Sequence, residues 1–154
     1  MRHLNDLRVL VLGLGASGTA MARWCLRHGA HVTAWDSRPG LPGLDALQDE
    51  HPTLDLLVGP LGPEALAGVQ LVLKSPGLPP HDERIEPVLA QARATGVAVQ
   101  AEWDLFARAL EDLKAERGYA PQLLAITGTN GKTTTTQMTA MLVERCGRTV
   151  AVAG

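Results

Sequence analysis

The sequence predicts an α/β protein: a doubly wound parallel sheet, then the start of a second α/β unit built around a phosphate loop. Three observations predict it. Short apolar, β-branched runs alternate with helical patterns through residues 1–98. A literal G-x-G-x-x-G, Gly13 to Gly18, separates the first apolar run from the first helical pattern. Far downstream, Ile126-Thr127-Gly128-Thr129-Asn130-Gly131-Lys132-Thr133 reads as a strand end, a glycine-bearing loop and a helix start.

Arg8 to Leu12 is continuously apolar after its first residue, as a strand covered on both faces should be. Thr19 to His28 has Ala20, Met21, Trp24 and Cys25 at helical spacing and is stopped by Gly29. His31 to Trp35 is a second strand, ending at Asp36-Ser37-Arg38. This βαβ unit is Rossmann-like: Gly13 permits the tight turn, Gly15 lets a diphosphate approach the backbone, and Gly18 lets helix pack on strand. Asp36 lies 36 − 18 = 18 residues after the third glycine, close to the spacing of a ribose-binding acid. A purely structural βαβ turn is the alternative reading.

Pro39 to Gly43 is a turn-rich loop, and a short helix follows over Leu44 to Asp49. Leu54 to Val58 is a strand, Pro63 to Ala67 a short helix opened by proline, and Val69 to Leu73 another strand. Ser75-Pro76-Gly77 then sits at a strand's carboxyl end, where open α/β sheets bind ligands. Asp82 caps a helix that runs to Thr95, and Val97 to Val99 is the last strand of the first domain. From residue 99 onward the second domain begins. Glu102 to Arg117 is an amphipathic helix with Trp103, Phe106, Leu110 and Leu113 on its inner face. Leu123 to Ile126 is a strand. The helix after Lys132 runs to about Arg145 with Met138, Met141 and Leu142 inward, and Thr149 to Val152 is a further strand. A P-loop domain needs more strands than these, so the chain is expected to be the first part of a longer protein.

Composition excludes several classes. The 154 residues are 45% hydrophobic and 19% charged with net charge −2, which gives no basic surface for nucleic acid or an anionic membrane. Aromatic residues are 3%, too few for base-stacking platforms. Met1 to Asp6 is polar, so no secretory signal is expected, and no run approaches a membrane span. Cys25 and Cys146 have no metal spacing and read as reduced, partly buried thiols of a cytoplasmic protein. His3, His28, His31, His51 and His81 form no i,i+4 pair, which argues against a histidine metal site.

The downstream loop has its own chemistry. Backbone N–H groups of Gly128 to Thr134 can turn inward to hold phosphate oxygens, and the helix beyond adds its positive end. Lys132 supplies a mobile charge for the outer phosphates, and Thr133 a hydroxyl of the kind that ligates Mg²⁺. Ile126 stands where the common G-x-x-x-x-G-K-[ST] pattern has its first glycine.

T-G-T-N-G-K-T followed by Thr134 resembles the ATP loop of the Mur ligases, which form amide bonds in peptidoglycan precursor synthesis, and of the related folylpolyglutamate synthetases. Gly13 to Gly18, Asp36-Ser37-Arg38 and Ser75-Pro76-Gly77 together are similar to the branch of Mur ligases that adds D-glutamate to UDP-MurNAc-L-alanine. The resemblance implies that residues 1–98 bind the UDP substrate and residues 99–154 begin the central ATP-binding domain. Gly15, Ala16, Ser17 and Gly18 would meet the diphosphate; Asp36, Ser37 and Arg38 the uridine end; Ser75, Pro76 and Gly77 the same cleft. Gly128, Thr129, Asn130, Gly131, Lys132, Thr133 and Thr134 would hold ATP, with Lys132 catalytic and Thr133 on Mg²⁺. An acyl phosphate would be the intermediate. Two other readings remain open on the residues: another Mur-type or polyglutamate branch, and an NAD-binding dehydrogenase module that leaves the second loop idle.

Overall fold

The computed structural model describes residues 2–41 and 43–153. Pro42, inside the expected turn-rich loop, lies outside the described residues, with Met1 and Gly154. The chain forms two compact units, Met1–Tyr119 and Ala120–Gly154.

The first unit is a five-stranded parallel sheet in the order β3-β2-β1-β4-β5. Its strands are β1 (Arg8–Leu12), β2 (His31–Asp36), β3 (Asp55–Val58), β4 (Leu71–Lys74) and β5 (Ala98–Gln100). The helices between and after them are α1 (Ala16–Arg27), α2 (Leu44–Glu50), α3 (Glu86–Thr95) and α4 (Glu102–Arg117). Pro63–Leu66 is a short 3₁₀ turn rather than an α-helix. β1 is central, pairing with β2 from Arg8↔His31 to Leu12↔Trp35 and with β4 from Val9↔Leu71 to Leu12↔Lys74. The chain winds outward from β1 to β3, then returns to lay β4 on the other side of β1. The switch point therefore falls between the carboxyl ends of β1 and β4.

The apolar run of β1 is buried on both faces. Val9 and Val11 join a core with Met21, Ala22 and Cys25 of α1, Leu47 of α2 and Leu105 of α4. Leu10 and Leu12 join a second core with Trp35, Val72 and the α3 residues Val88, Leu89 and Ala92. Strand alternation thus feeds two cores from four consecutive residues, Val9 to Leu12, which explains the lack of polar interruption after Arg8. Cys25 is buried and apolar surroundings push its thiol up to about 12, an inert group, whereas Cys146 is exposed rather than partly buried.

Sequence alternation divides the chain at residues 98 and 99, whereas close packing continues to Tyr119 because α4 rests on α1 and β5. The face it uses also differs from the expected one. Leu105 and Ala109 are buried, while Trp103 is 68% and Phe106 41% exposed. Those two rings meet each other edge to face, with centroids 5.9 Å apart. A small alanine one turn from Leu105 allows close approach, which the bulkier stripe would prevent.

The second unit contains α5 (Lys132–Arg145). The strands expected at Leu123–Ile126 and Thr149–Val152 are absent: both segments are irregular. A strand exists only through its ladder, and neither segment pairs with a neighbour among the described residues. Met138, Met141 and Leu142, expected inward, are 52–61% exposed, since the unit has no sheet for them to cover.

Gly18 sets the spacing of α1 on β1. A Cβ built there would stand 1.7 Å from the Gly13 carbonyl oxygen, which is backbone and cannot swing aside. Gly18→Ala is expected to destabilise the first unit by about 3 kcal/mol, read as a lowered thermal midpoint. An unchanged midpoint would show that helix and strand can separate without penalty.

Candidate nucleotide site at the carboxyl edge of the sheet

The loop after β1 turns at Gly13, whose φ of +84° lies in the left-handed region that other residues resist. The chain then enters α1 directly. Gly15 is its N-cap and the Thr19 N–H donates to the Gly15 carbonyl at 2.9 Å. The helix therefore starts at Ala16, three residues before the expected Thr19. Its early start puts the amides of Ala16, Ser17 and Gly18 in the first turn, ahead of that bond. No side chain caps them. A Cβ on Gly15 would meet nothing within 4 Å, so the loop faces open space there. Backbone donors and a helix's positive end at an open loop suit an anionic oxygen cluster.

The loop after β4 closes against this turn. A Cβ on Gly13 would come within 3.1 Å of Leu78 and 3.2 Å of Ser75. Ser75 is buried, its N–H bonded to the Leu12 carbonyl at 2.9 Å, and its hydroxyl accepts from the Gly77 N–H at 3.4 Å. Pro76 and Gly77 are exposed. Lys74 fastens the loop by donating from Nζ to the Leu78 carbonyl at 2.7 Å. Gly13 to Gly18 and Ser75 to Gly77, 57 or more residues apart in sequence, thus border one crevice at the switch point.

Asp36 ends β2 and is 4% exposed. One carboxyl oxygen accepts the Leu14 N–H at 2.8 Å and the Arg38 Nη2 at 3.0 Å. The other accepts the Arg38 N–H and Nε, both at 3.0 Å. Asp36 therefore locks the glycine loop to the end of β2 and holds Arg38 upright. Burial disfavours its charge, but the hydrogen bonds from Arg38 and Leu14 outweigh that and bring the carboxyl down to about 2. The residue exposed to a ligand is Arg38, whose side chain is 63% accessible.

Asp82 and Arg84 repeat this arrangement. The Arg84 N–H and Nε donate to one Asp82 carboxyl oxygen at 3.1 and 2.8 Å, and Nη2 donates to the other at 2.5 Å. Arg84 Nη1 reaches across to donate to the Ser37 hydroxyl oxygen at 2.7 Å. Hydrogen bonds from Arg84 hold the Asp82 carboxyl below the usual range against its burial. Sequence reasoning assigned Asp82 only a capping role and missed Arg84. The signal was present: Asp36-Ser37-Arg38 and Asp82-Glu83-Arg84 are the same D-x-R triplet.

Residues 7–101 match the N-terminal domain of the MurD-like Mur ligases. The chain belongs to the MurD-like Mur ligase family. Of its relatives, the UDP-N-acetylmuramoylalanine--D-glutamate ligase of Ralstonia nicotianae is 54% identical over 146 residues, 95% of this chain and 29% of that protein. The ligase of the same name from Albidiferax ferrireducens is 51% identical over 156 residues, all of this chain and 30% of that one. The chain thus spans about 30% of the length of the curated relatives it matches. Among solved structures, a pseudomurein peptide ligase type C from Methanothermus fervidus shares the fold, with a TM-score of 0.53 and 23% identity over 92% of this chain and 27% of that one.

The second candidate phosphate loop spans Gly128 to Thr134. Gly131, at φ +75°, is the N-cap of α5, without a side-chain cap. The Thr135 N–H donates to its carbonyl at 2.9 Å, which leaves the amides of Lys132, Thr133 and Thr134 in the first turn. Lys132 Nζ donates to the carbonyls of Gly128 at 2.7 Å and Thr129 at 3.4 Å, so the ammonium lies over the loop it would serve. The exposed Thr133 can offer one oxygen to a metal ion. Among the described residues no three His, Cys, Asp or Glu side chains gather to hold one. No helix among them is long and apolar enough to cross a membrane.

The Asp36 shift carries a pH dependence. Its folded value lies below the ordinary 3.8, so its contribution is complete above about pH 4 and disappears as pH falls through 2. Asp36→Asn is expected to remove on the order of 1–2 kcal/mol of the stability lost between pH 5 and pH 2, so its denaturant midpoint should vary less over that interval. Equal acid sensitivity in both proteins would detach Asp36 from the loop.

Proposed function

We infer that this chain is the substrate-nucleotide end of an ATP-dependent ligase that joins D-glutamate to UDP-MurNAc-L-alanine, in the cytoplasm, for peptidoglycan precursors and hence for cell shape and division. One observation carries the reading: a chain about half identical to ligases of that name presents two separate helix-start loops, each open to phosphate. A dehydrogenase reading accounts for the first loop and leaves the second without a task.

In this reading the first loop takes the substrate's diphosphate. The amides of Ala16 and Ser17, with Gly15 and Gly18 leaving room, bind its oxygens. Arg38, Ser37 and Asp36 serve the uridine end, Asp36 acting through Arg38 and the loop. Ser75, Pro76 and Gly77 border the cleft. Gly128 to Thr134 bind ATP, and Thr133 would hold Mg²⁺ together with phosphate oxygens. That ion would neutralise charge on the phosphates. Residues 1–98 would then serve the UDP substrate and residues 99–154 would open the ATP domain.

The chemistry needs both loops because a carboxylate resists attack by an amine. Transfer of the γ-phosphoryl group to the L-alanine carboxylate forms an acyl phosphate and leaves ADP. The D-glutamate amine then attacks the acyl carbon, the C–N bond forms, the C–O bond breaks, and inorganic phosphate departs. Lys132 moves from the loop carbonyls to the phosphoryl oxygens, where its charge has most effect in the transition state. The remaining contribution is alignment of two bound reactants.

The decisive assay is phosphate release by the full-length protein with ATP and UDP-MurNAc-L-alanine. D-Glutamate should support it, and L-alanine or a diamino acid should not; the reverse would move the chain to another Mur branch. In the same assay Lys132→Ala is expected to lower turnover by about 10²–10³-fold while the affinity for UDP-MurNAc-L-alanine stays near that of the unsubstituted protein. Turnover retained in that variant would remove Lys132 from the chemistry.

A further inference from the structure

The residues ahead of β1 reach the second half of α4. Arg2–Leu4 form a single 3₁₀ turn. Leu4 is fully buried, in the same core as Leu105 of α4 and Met21, Ala22 and Cys25 of α1. Asp6 then turns the chain towards β1 at φ +60°, a left-handed conformation that aspartate tolerates better than most side chains. Its N–H donates to the Gly29 carbonyl at 2.8 Å, and the His31 N–H donates to the Leu7 carbonyl at 2.8 Å. The segment is thus pinned to the entry of β2 and to the core. From it, His3 Nδ1 donates to the Asp112 carboxylate at 2.8 Å, 109 residues away in sequence. An ionised carboxylate only accepts, so the ring proton sits on Nδ1. The two side chains are 25% and 24% exposed, which shields the bond in part from water and salt.

The buried side of α4 is narrow. Of its 16 residues, Leu105 and Ala109 are the buried ones, and both lie in its first half. From residue 110 to 117, Leu110, Asp112 and Leu113 are half-buried and the others are exposed. So little buried apolar surface puts this half at the low end of local stability. Its helical form is secured separately, at its end. Gly118, at φ +67°, caps it, with the Gly118 N–H donating to the Lys114 carbonyl at 3.0 Å and the Tyr119 N–H to the Leu113 carbonyl at 3.3 Å. The second half of α4 is therefore a formed helix with a thin hold on the first unit, and His3 grips it near its middle.

We propose that residues 2–6 are a strap that holds a detachable arm, residues 110–117 of α4, through the His3–Asp112 bond, and so set the length of chain free to move ahead of the second loop. With the strap closed, the chain leaves the first unit at Gly118, 14 residues before Lys132. With it open, the hold ends at Ala109, 23 residues before Lys132. The released residues keep their cap, so they add a helical arm about 12 Å long rather than slack chain. The inference is independent of what either loop binds.

Amide hydrogen exchange of the full-length protein without nucleotide tests it, with limited trypsin digestion as a second readout. His3→Phe keeps a ring at this position and removes the donor. Amides of residues 110–117 are expected to exchange about tenfold faster in it, the effect of losing one hydrogen bond to a charged group, while those of β1 and α1 keep their rates. Trypsin, which needs local opening, should cut after Lys114 faster by a similar factor. Asp112→Ala should behave alike, and Asp112→Asn, which keeps an acceptor, should retain slow exchange. In the double variant His3→Phe/Asp112→Ala the increase should not exceed that of either single variant, because one bond cannot be lost twice. Unchanged exchange at 110–117 in both single variants overturns the proposal. Acceleration that spreads equally into β1 and α1 makes the pair a general support of the fold and overturns it too. So does an additive effect in the double variant, since the two residues would then act separately.

Discussion

Four N–H groups converge on the buried carboxylate of Asp36, and the geometry of the sheet's working edge depends on them. One comes from Leu14, inside the glycine loop, and the others from Arg38 just beyond β2. A buried carboxylate without such partners would take up a proton or destabilise the fold. With them it becomes a rigid tie between two neighbouring loops. The tie keeps the first turn of α1 where its amides face outward, and it removes the rotational freedom of an arginine that would otherwise sweep the surface.

Around this tie the fold uses close backbone approaches. Gly18 lies against the Gly13 carbonyl, and Gly13 lies against Ser75 and Leu78. The loops after β1 and β4 are thereby brought into contact at the switch point. Asp82 and Arg84 repeat the Asp36–Arg38 clamp on the other side, and the Arg84–Ser37 bond closes the row. Preorganisation of this kind would suit the proposed nucleotide substrate, because ordering side chains on binding subtracts from affinity.

The two helix-start loops share one device in different states of completion. At Ala16 the loop is backed by a five-stranded sheet and held by Asp36. At Lys132 the helix start is formed, and the lysine is folded over its own loop carbonyls. Neither flanking segment of the second loop forms a ladder among the described residues, so the loop stands on its helix alone. The difference follows from sheet physics: a helix satisfies its backbone internally, whereas a strand requires a neighbour.

Local rules in the sequence determined a good deal by themselves. The apolar runs located all five strands of the first unit to within two residues, because the central strands β1, β2 and β4 are mostly buried and tolerate little polarity, and the edge strands β3 and β5 still keep short aliphatic runs between turn residues. The glycines located both helix-start loops, because left-handed turns and a 1.7 Å approach exclude a side chain. Tertiary structure decided what depends on partners. It chose Leu105 and Ala109 over Trp103 and Phe106 as the buried face of α4, since only the neighbouring helix and strand determine which stripe is covered. It left the segments at 123–126 and 149–152 unpaired. It turned Asp36 from a ligand group into the anchor of Arg38, because hydrogen-bond partners are set by loops that meet only in three dimensions. And it brought Arg84 to Ser37, 47 residues away, a contact that the repeated D-x-R triplet hints at but that only the winding of β2 and β4 beside β1 creates.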